Sequence, residues 1–291
     1  MGFQAGDLVA RYSYNCDILF RITAVKDGKA ELIGEEVRLQ ADSPLSDLKK
    51  IDDQEREKRQ KESKEKEENC YRLFRQECRL LKERNEYETT DSYSSSTPYF
   101  EMRGRVLHLD GDPSYLEKCT ALYDRLGIPV YGVHLPEKEM PNQVASLLHM
   151  VRPDILVITG HDAYLPSRGE ENDLKAYRHS KAFGQTVREA RNIVPQLDDL
   201  VIFAGACQSY FEWLIKAGAN FASAPNRVNI HALDPVYIAA KISLTPFMDQ
   251  VSILQLIRNT ITGEEGLGGL ETKGVLRRGV PWKSEDSALN R

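Results

Sequence analysis

Hydrophobic and polar positions change rhythm twice along this chain of 291 residues. From residue 1 to 50, short apolar runs alternate with polar residues in GDLVARYS, ILFRITAVKDG and KAELIGEEVRLQA, the last two meeting at Asp27-Gly28. Alternation with a period of two predicts half-buried strands, and Asp-Gly between two such runs predicts a tight hairpin. Several short strands in so few residues predict a small curled barrel of the SH3 or Tudor kind. Such a unit either binds a partner or caps the rest of the molecule.

The alternation then stops. Fourteen of the twenty residues from Ile51 to Cys70 are charged, with both signs mixed at helical pairing distances. Further on, Phe74, Cys78 and Leu81 form a narrow apolar stripe. The pattern predicts one long helix over 52–88, a solvated connector in which Cys70 and Cys78 serve packing. TTDSYSSSTPY at 89–99 has turn and linker composition. The boundaries that follow are 1–50 for the barrel, 51–96 for the charged arm and 97–291 for a third unit.

In that third unit four apolar runs recur: RVLHLDG at 105–111, PVYGVHL at 129–135, DILVITG at 154–160 and LVIFAGA at 200–206. Helical patterns separate them at 113–127, 142–151 and 173–194. Apolar strands alternating with helices predict an α/β fold, a mostly parallel sheet covered on both faces. Its functional groups belong at the carboxyl ends of the strands. Those ends read Asp110-Gly111-Asp112, Gly160-His161-Asp162 and Gly205-Ala206-Cys207.

Composition narrows the chemistry. A net charge of −5 speaks against a nucleic-acid partner. The five cysteines are widely spaced with no CxxC, so neither structural zinc nor any other metal is expected. The glycine-rich stretch at 264–274 lacks the lysine of a phosphate-binding loop, and no cofactor is expected. No apolar run is long enough to span a membrane and no secretory leader is recognisable, which points to the cytoplasm.

Cys207 stands at a strand-to-helix turn, where backbone N–H groups favour a thiolate and can form an oxyanion hole. A cysteine there is also an ordinary core residue. His161 strengthens the nucleophile reading, because it ends the preceding strand and titrates in the range a base needs. His231, followed by Asp234, is the alternative base; it would suit a thiol amidase or an amidotransferase-like hydrolase. The remaining histidines read as core or surface residues. Asp110, Asp112, Asp162, Gln208 and Asp234 are candidates for a substrate pocket, although Asp110 and Asp112 also suit a turn and helix cap. A non-catalytic scaffold stays open as well, since small barrels and charged helices are common in interaction proteins.

The pair His161 and Cys207, 46 residues apart on successive strand ends, resembles the caspase, gingipain and legumain peptidases. That group usually has His-Gly where this chain has His161-Asp162, so the second oxyanion donor would be the N–H of Asp162 beside that of Cys207. A resemblance running nearly end to end is to the YabG family of sporulation-specific cysteine peptidases. It is carried by FQAGDLVARYSYNCDILFRI, VLHLDGDPSYLEKC, RPDILVITGHDAY and LVIFAGACQSYFEWLIKAGANFASAPNRVNIHALDPVY. The resemblance implies an endopeptidase acting on spore coat proteins, in the mother cell or at the forming coat, with His161 and Cys207 as its catalytic pair. Several caspase-like peptidases accept Arg or Lys before the cut, and strand-end carboxylates would suit such a residue. The same preference makes the chain a candidate substrate of itself, with Arg56, Arg59 and Arg72 in the charged segment as the expected sites.

Overall fold

The computed structural model describes residues 2–90 and 100–279. The linker residues 91–99, with the expected boundary at 96–97, lie outside the described residues. The N-terminal strands are β1 (Leu8–Arg11), β2 (Phe20–Lys26), β3 (Lys29–Gly34), β4 (Gln40–Pro44) and β5 (Leu48–Lys50). They form one antiparallel sheet in the order β4-β3-β2-β1-β5. Asp27 and Gly28 turn β2 into β3 with φ of 49° and 72°, the left-handed pair a two-residue hairpin demands. The antiparallel sheet matches the expectation; β4 and β5 lie at opposite edges, and among the described residues no pairing closes it into a barrel.

Helix α1 (Asp53–Thr90) takes up the charged segment. Its narrow stripe is not free. Phe74 is buried with its ring 5.4 Å from that of Tyr237, Glu77 pairs with Lys241, and the Cys70 thiol donates to the Asn259 carbonyl at 3.3 Å. Arg56, Arg59 and Arg72 lie on this continuous helix, whose backbone N–H and C=O groups are already paired along its axis.

The remaining elements are β6 (Phe100–Met102), β7 (Val106–Asp110), α2 (Pro113–Leu126), β8 (Val130–His134), α3 (Met140–Val151), β9 (Ile155–Thr159), α4 (Ser180–Ile193), β10 (Val201–Ala204), α5 (Phe211–Ala217), β11 (Phe221–Ala222), α6 (Asp234–Leu244), β12 (Gln250–Val251), α7 (Ile253–Arg258), β13 (Gly268–Gly269), β14 (Thr272–Lys273) and β15 (Arg277–Gly279). The main sheet runs β13-β11-β10-β9-β7-β8, parallel except for β13. Alternate strand residues feed two cores. Val106, Val157, Val201 and Phe203 join Leu122, Tyr123 and Tyr237 of α2 and α6. Leu107, Leu156, Ile158 and Ile202 join Val144, Phe183, Val187 and Leu214 of α3, α4 and α5. The fold is therefore α/β with helices on both faces, and β7 sits at the point where the strand order reverses.

One expected helix begins later than its pattern suggests. Residues 173–179 form only a short 3₁₀ turn at Leu174–Ala176 before α4. The backbone there is committed elsewhere: Leu165 N–H donates to the Ala176 carbonyl, and Arg178 N–H to that of Ala163. A residue paired to an extended neighbour cannot also serve a helix.

Candidate active site

Strands β9 and β10 pair in register, Ile158 opposite Ala204. His161 and Cys207 each follow three residues later, and the two loops stay joined as Gly205 N–H donates to the Ile158 carbonyl at 3.0 Å and Thr159 Oγ1 to the Gly205 carbonyl at 2.8 Å. Cys207 is fully buried and His161 nearly so. The thiol sulfur lies 3.2 Å from the Ile230 N–H nitrogen and 3.5 Å from the Ile230 carbonyl. The His161 Nε2 atom is buried without a hydrogen-bond partner, 3.5 Å from the Asp112 carboxylate. Burial pushes the Cys207 thiol up and the His161 imidazole down, so both are held neutral.

A segment of the N-terminal sheet lies across this point. Between β3 and β4, the Arg38 carbonyl accepts from the Cys207 N–H and from the Asp162 N–H, both at 3.2 Å. Arg38 N–H donates to the Ile230 carbonyl at 3.3 Å, Ala232 N–H to the Glu36 carbonyl at 2.9 Å, and Gln40 N–H to the Asp162 carbonyl at 3.3 Å. Val37 pairs with His231 antiparallel and Leu39 with Asp162 in parallel. The Arg38 side chain enters a closed pocket with none of its surface exposed. Its guanidinium meets the Asp110 carboxylate through two nitrogens at 3.0 Å, donates to the Ala232 carbonyl at 2.9 and 3.1 Å, and reaches the Cys119 sulfur at 3.4 Å. The Tyr115 ring lies 5.0 Å from it. Burial alone would raise the Asp110 carboxyl, but the Arg38 charge and His108 hold it well below the usual carboxylate range.

Of the other expected pocket residues, Asp112 caps α2, accepting from the N–H groups of Ser114 and Tyr115 at 2.7 and 3.0 Å, and still faces His161. The Asp162 carboxylate is occupied by the N–H groups of Ala163 and His179 and the hydroxyls of Ser180 and Ser209. Only its backbone N–H and C=O meet the Arg38 segment. Gln208 braces the loop, bonding Tyr164 N–H at 3.2 Å and Asn229 at 3.1 Å. Asp234 is buried under the N–H groups of His231, Ile261 and Thr262. The His231 ring accepts from Leu233 N–H at 3.2 Å and lies 3.4 Å from Glu67 of α1, so both of its nitrogens are engaged away from Cys207.

His108, Asp110 and Cys119 bring one ligand-type atom each within 4.8 Å of one another. A guanidinium, not an open cavity, stands among them, and burial pushes the Cys119 thiol up to about 12. Cys119 sits within α2 with its thiol against the Ala232 carbonyl at 3.5 Å, and a thiol held protonated by burial is a poor nucleophile.

Two participants escaped sequence reasoning. Glu137 accepts from the His161 N–H at 2.9 Å, with the same oxygen 4.0 Å from His161 Nδ1 and the other oxygen 3.2 Å from His179 Nδ1. A Cβ on Gly111 or Gly160 would stand 2.2 or 2.5 Å from that carboxylate, so both glycines make room for it. Its only sequence signal is a carboxylate just past the end of β8. Arg38 itself is the other.

A thiol and an imidazole at adjacent carboxyl strand ends, with two N–H groups converging on one carbonyl, have the layout of a hydrolase cleft. The family model described as YabG peptidase U57 matches residues 4–281. A similar protein is the "Sporulation-specific protease YabG" of Bacillus subtilis (strain 168), 56% identical over 289 residues, covering 98% of this chain and 100% of that protein. The chain belongs to the YabG peptidase family and is a peptidase. No solved structure matches it.

Proposed function

We propose that this peptidase is a cysteine endopeptidase of sporulation in which Cys207 is the nucleophile and His161 its base, cutting after basic residues. The observation that carries the reading is the Arg38 carbonyl held between the Cys207 and Asp162 N–H groups while its guanidinium meets Asp110. His161 takes the thiol proton and the sulfur attacks the carbonyl carbon. The two N–H groups hold the developing oxyanion. Collapse breaks the C–N bond as the imidazolium gives its proton to the leaving amine, and water then hydrolyses the thioester. Asp112 and Glu137 orient the imidazole. Asp110 selects a guanidinium or ammonium at the residue before the cut, because two parallel charge-assisted bonds in a dry pocket discriminate strongly.

Substrates are proteins of the spore coat, met in the mother cell or at the forming coat; the membership in a family whose curated member is a sporulation protease supports this. No helix among the described residues is long and apolar enough to cross a membrane. The strand order β8-β7-β9-β10, with His161 after β9 and Cys207 after β10, supports a caspase-like arrangement for 97–291. Residues 1–50 then form an SH3-like module and α1 its helical connector.

A fluorogenic peptide with Arg before the reporter bond tests the reading. Cys207→Ala and His161→Ala should each reduce its cleavage to background with the fold intact by circular dichroism, while His231→Ala retains turnover. A thiol alkylator should abolish activity and a chelator should spare it. Full turnover by Cys207→Ala would end the proposal.

A further inference from the structure

We propose that the Arg38–Leu39 bond is this peptidase's own first substrate: the chain is made with its cleft filled by residues 35–39 and opens it by cutting that bond in cis. The inference rests on the function proposed above and names the substrate that function meets first.

Three observations carry it. The segment lies as an added strand, the manner in which an extended peptide enters a groove. Its main-chain bonds run from the Glu36 carbonyl and Arg38 N–H on one side to Gln40 N–H on the other, so residues before and after one peptide bond are both seated. Tyr115 Oη adds bonds to the carbonyls of Gly34 and Val37, and Lys118 Nζ one to that of Glu35 at 3.4 Å. Second, the carbonyl between the two convergent N–H groups is that of Arg38, and its side chain fills a pocket that ends on the buried Asp110 carboxylate, which also accepts from the Asp112 N–H at 3.0 Å. Third, Cys207 has no exposed surface, so no other protein can reach the thiol while the segment stays.

The step balances without a co-reactant beyond water. A bond forms between Cys207 Sγ and the Arg38 carbonyl carbon, and the bond from that carbon to Leu39 N breaks. The thiol proton passes through His161 to Leu39 N, leaving a free amine. Water then hydrolyses the thioester to the Arg38 carboxylate and restores the thiol. Both new ends are short. β3 ends at Gly34 and β4 begins at Gln40, so each half remains held in its sheet while the freed ends swing out. The helical arginines of α1 are not substrates in the folded chain, because their backbone is not extended.

The test uses the full-length chain, made in wild-type form and as Cys207→Ala, His161→Ala, Arg38→Gln and Arg38→Lys. Intact-mass and terminal-sequence mass spectrometry should find fragments 1–38 and 39–291 in wild type, the same cut in Arg38→Lys, and uncut chain in the other three. The rate should be first order and unchanged over a hundredfold range of protein concentration. In uncut His161→Ala, Cys207 should resist iodoacetamide at least tenfold better than in cut wild type, with the other cysteines as internal standards by peptide mapping. Wild type that cleaves the reporter peptide while Arg38–Leu39 stays intact would overturn the inference and leave the peptidase reading standing. Reporter cleavage by Cys207→Ala would instead sink the reading beneath it. A cut that scales with protein concentration, or one that persists in Arg38→Gln, would also overturn it.

Discussion

Arg38 is fully buried and Arg191 partly so, and the two are satisfied in opposite ways. Arg191, on α4, donates to the carbonyls of Gly218 at 2.8 Å and Leu200 at 2.9 Å, to those of Val194 and Gln196 at 3.2 Å, and to the Asn220 side-chain oxygen at 2.7 Å. All its acceptors are neutral, and burial pulls its guanidinium down to about 10. Arg38 meets a carboxylate and is held more firmly charged, because Asp110 offsets a burial that would otherwise lower it. Arg191 ties together loops of its own unit. Arg38 arrives from the other sheet into a pocket whose charge is complementary. A guanidinium placed for architecture needs only carbonyls; one that fits a recognition pocket finds its counter-ion waiting.

The largest effect that would sharpen this contrast comes from Asp110→Asn. Removing one partner of a fully buried pair leaves the other uncompensated, which costs about 3–5 kcal/mol of stability. Chemical denaturation of an Asp110→Asn, Cys207→Ala double variant against Cys207→Ala would read that loss without interference from cleavage. In the active background, preference for Arg over Gln before the cut should fall at least tenfold, as measured with a positional-scanning peptide library. Unchanged Arg preference after Asp110→Asn would break the comparison at its centre.

Arg191→Ala is expected next in size. It strips one donor group from several carbonyls and should cost about 1–3 kcal/mol of stability, with the ranking of peptides in the library unchanged. Lysine should not rescue Arg191, because a single ammonium cannot span four carbonyls and an amide. Lysine should serve at Arg38, where one cation facing one carboxylate suffices for binding. If Arg191→Lys were as stable as wild type, the architectural half of the contrast would fail.

Sequence reasoning reached the sheet and the two strand-end residues because both depend on local pattern. Val, Ile and Leu runs mark β7, β9 and β10, and a residue three places past such a run must stand at the sheet's carboxyl edge. Position along a strand end does not say where a carboxylate points. Asp110, Asp112, Asp162 and Asp234 were all candidates for one pocket, the first two also for a turn and helix cap; Asp112 does cap α2, but Asp110 faces Arg38 and the other two anchor loops. The difference lies in partners from distant elements, as when Asp162 takes the hydroxyl of Ser209. Arg38 was illegible for the same reason. In GEEVRLQAD it is one charge in a connection between strands, and its bond to Asp110 spans 72 residues. The late start of α4 was hidden likewise, since the pairing of 176–178 to 163–165 is tertiary and overrides helical spacing.

The smallest effect concerns the proton that His161 must lack. With the segment in place, burial is the largest influence on the imidazole and lowers its pKa; the nearby Arg38 charge lowers it further, against the carboxylates of Asp112, Glu137 and Asp110. In the proposed mechanism the neutral ring is the base, so self-cutting should be lost as pH falls through a value below the ordinary 6.5 of histidine. Once the segment leaves, water returns and the Arg38 cation is gone. Burial no longer dominates, while Asp112 and Glu137 still favour the charged ring, so the value must rise. The acid limb of kcat/KM for the reporter peptide, which reports the free cut enzyme, should therefore lie at higher pH than the acid limb of the self-cutting rate. Glu137→Gln should move both limbs down, because it removes a charge that favours protonation, and a merely structural role for Glu137 would lower rates without moving either midpoint. Coincident limbs in the wild type would mean that Arg38 and the segment around it exert no influence on the base, and the distinction between a recognised and an architectural guanidinium would lose its electrostatic support.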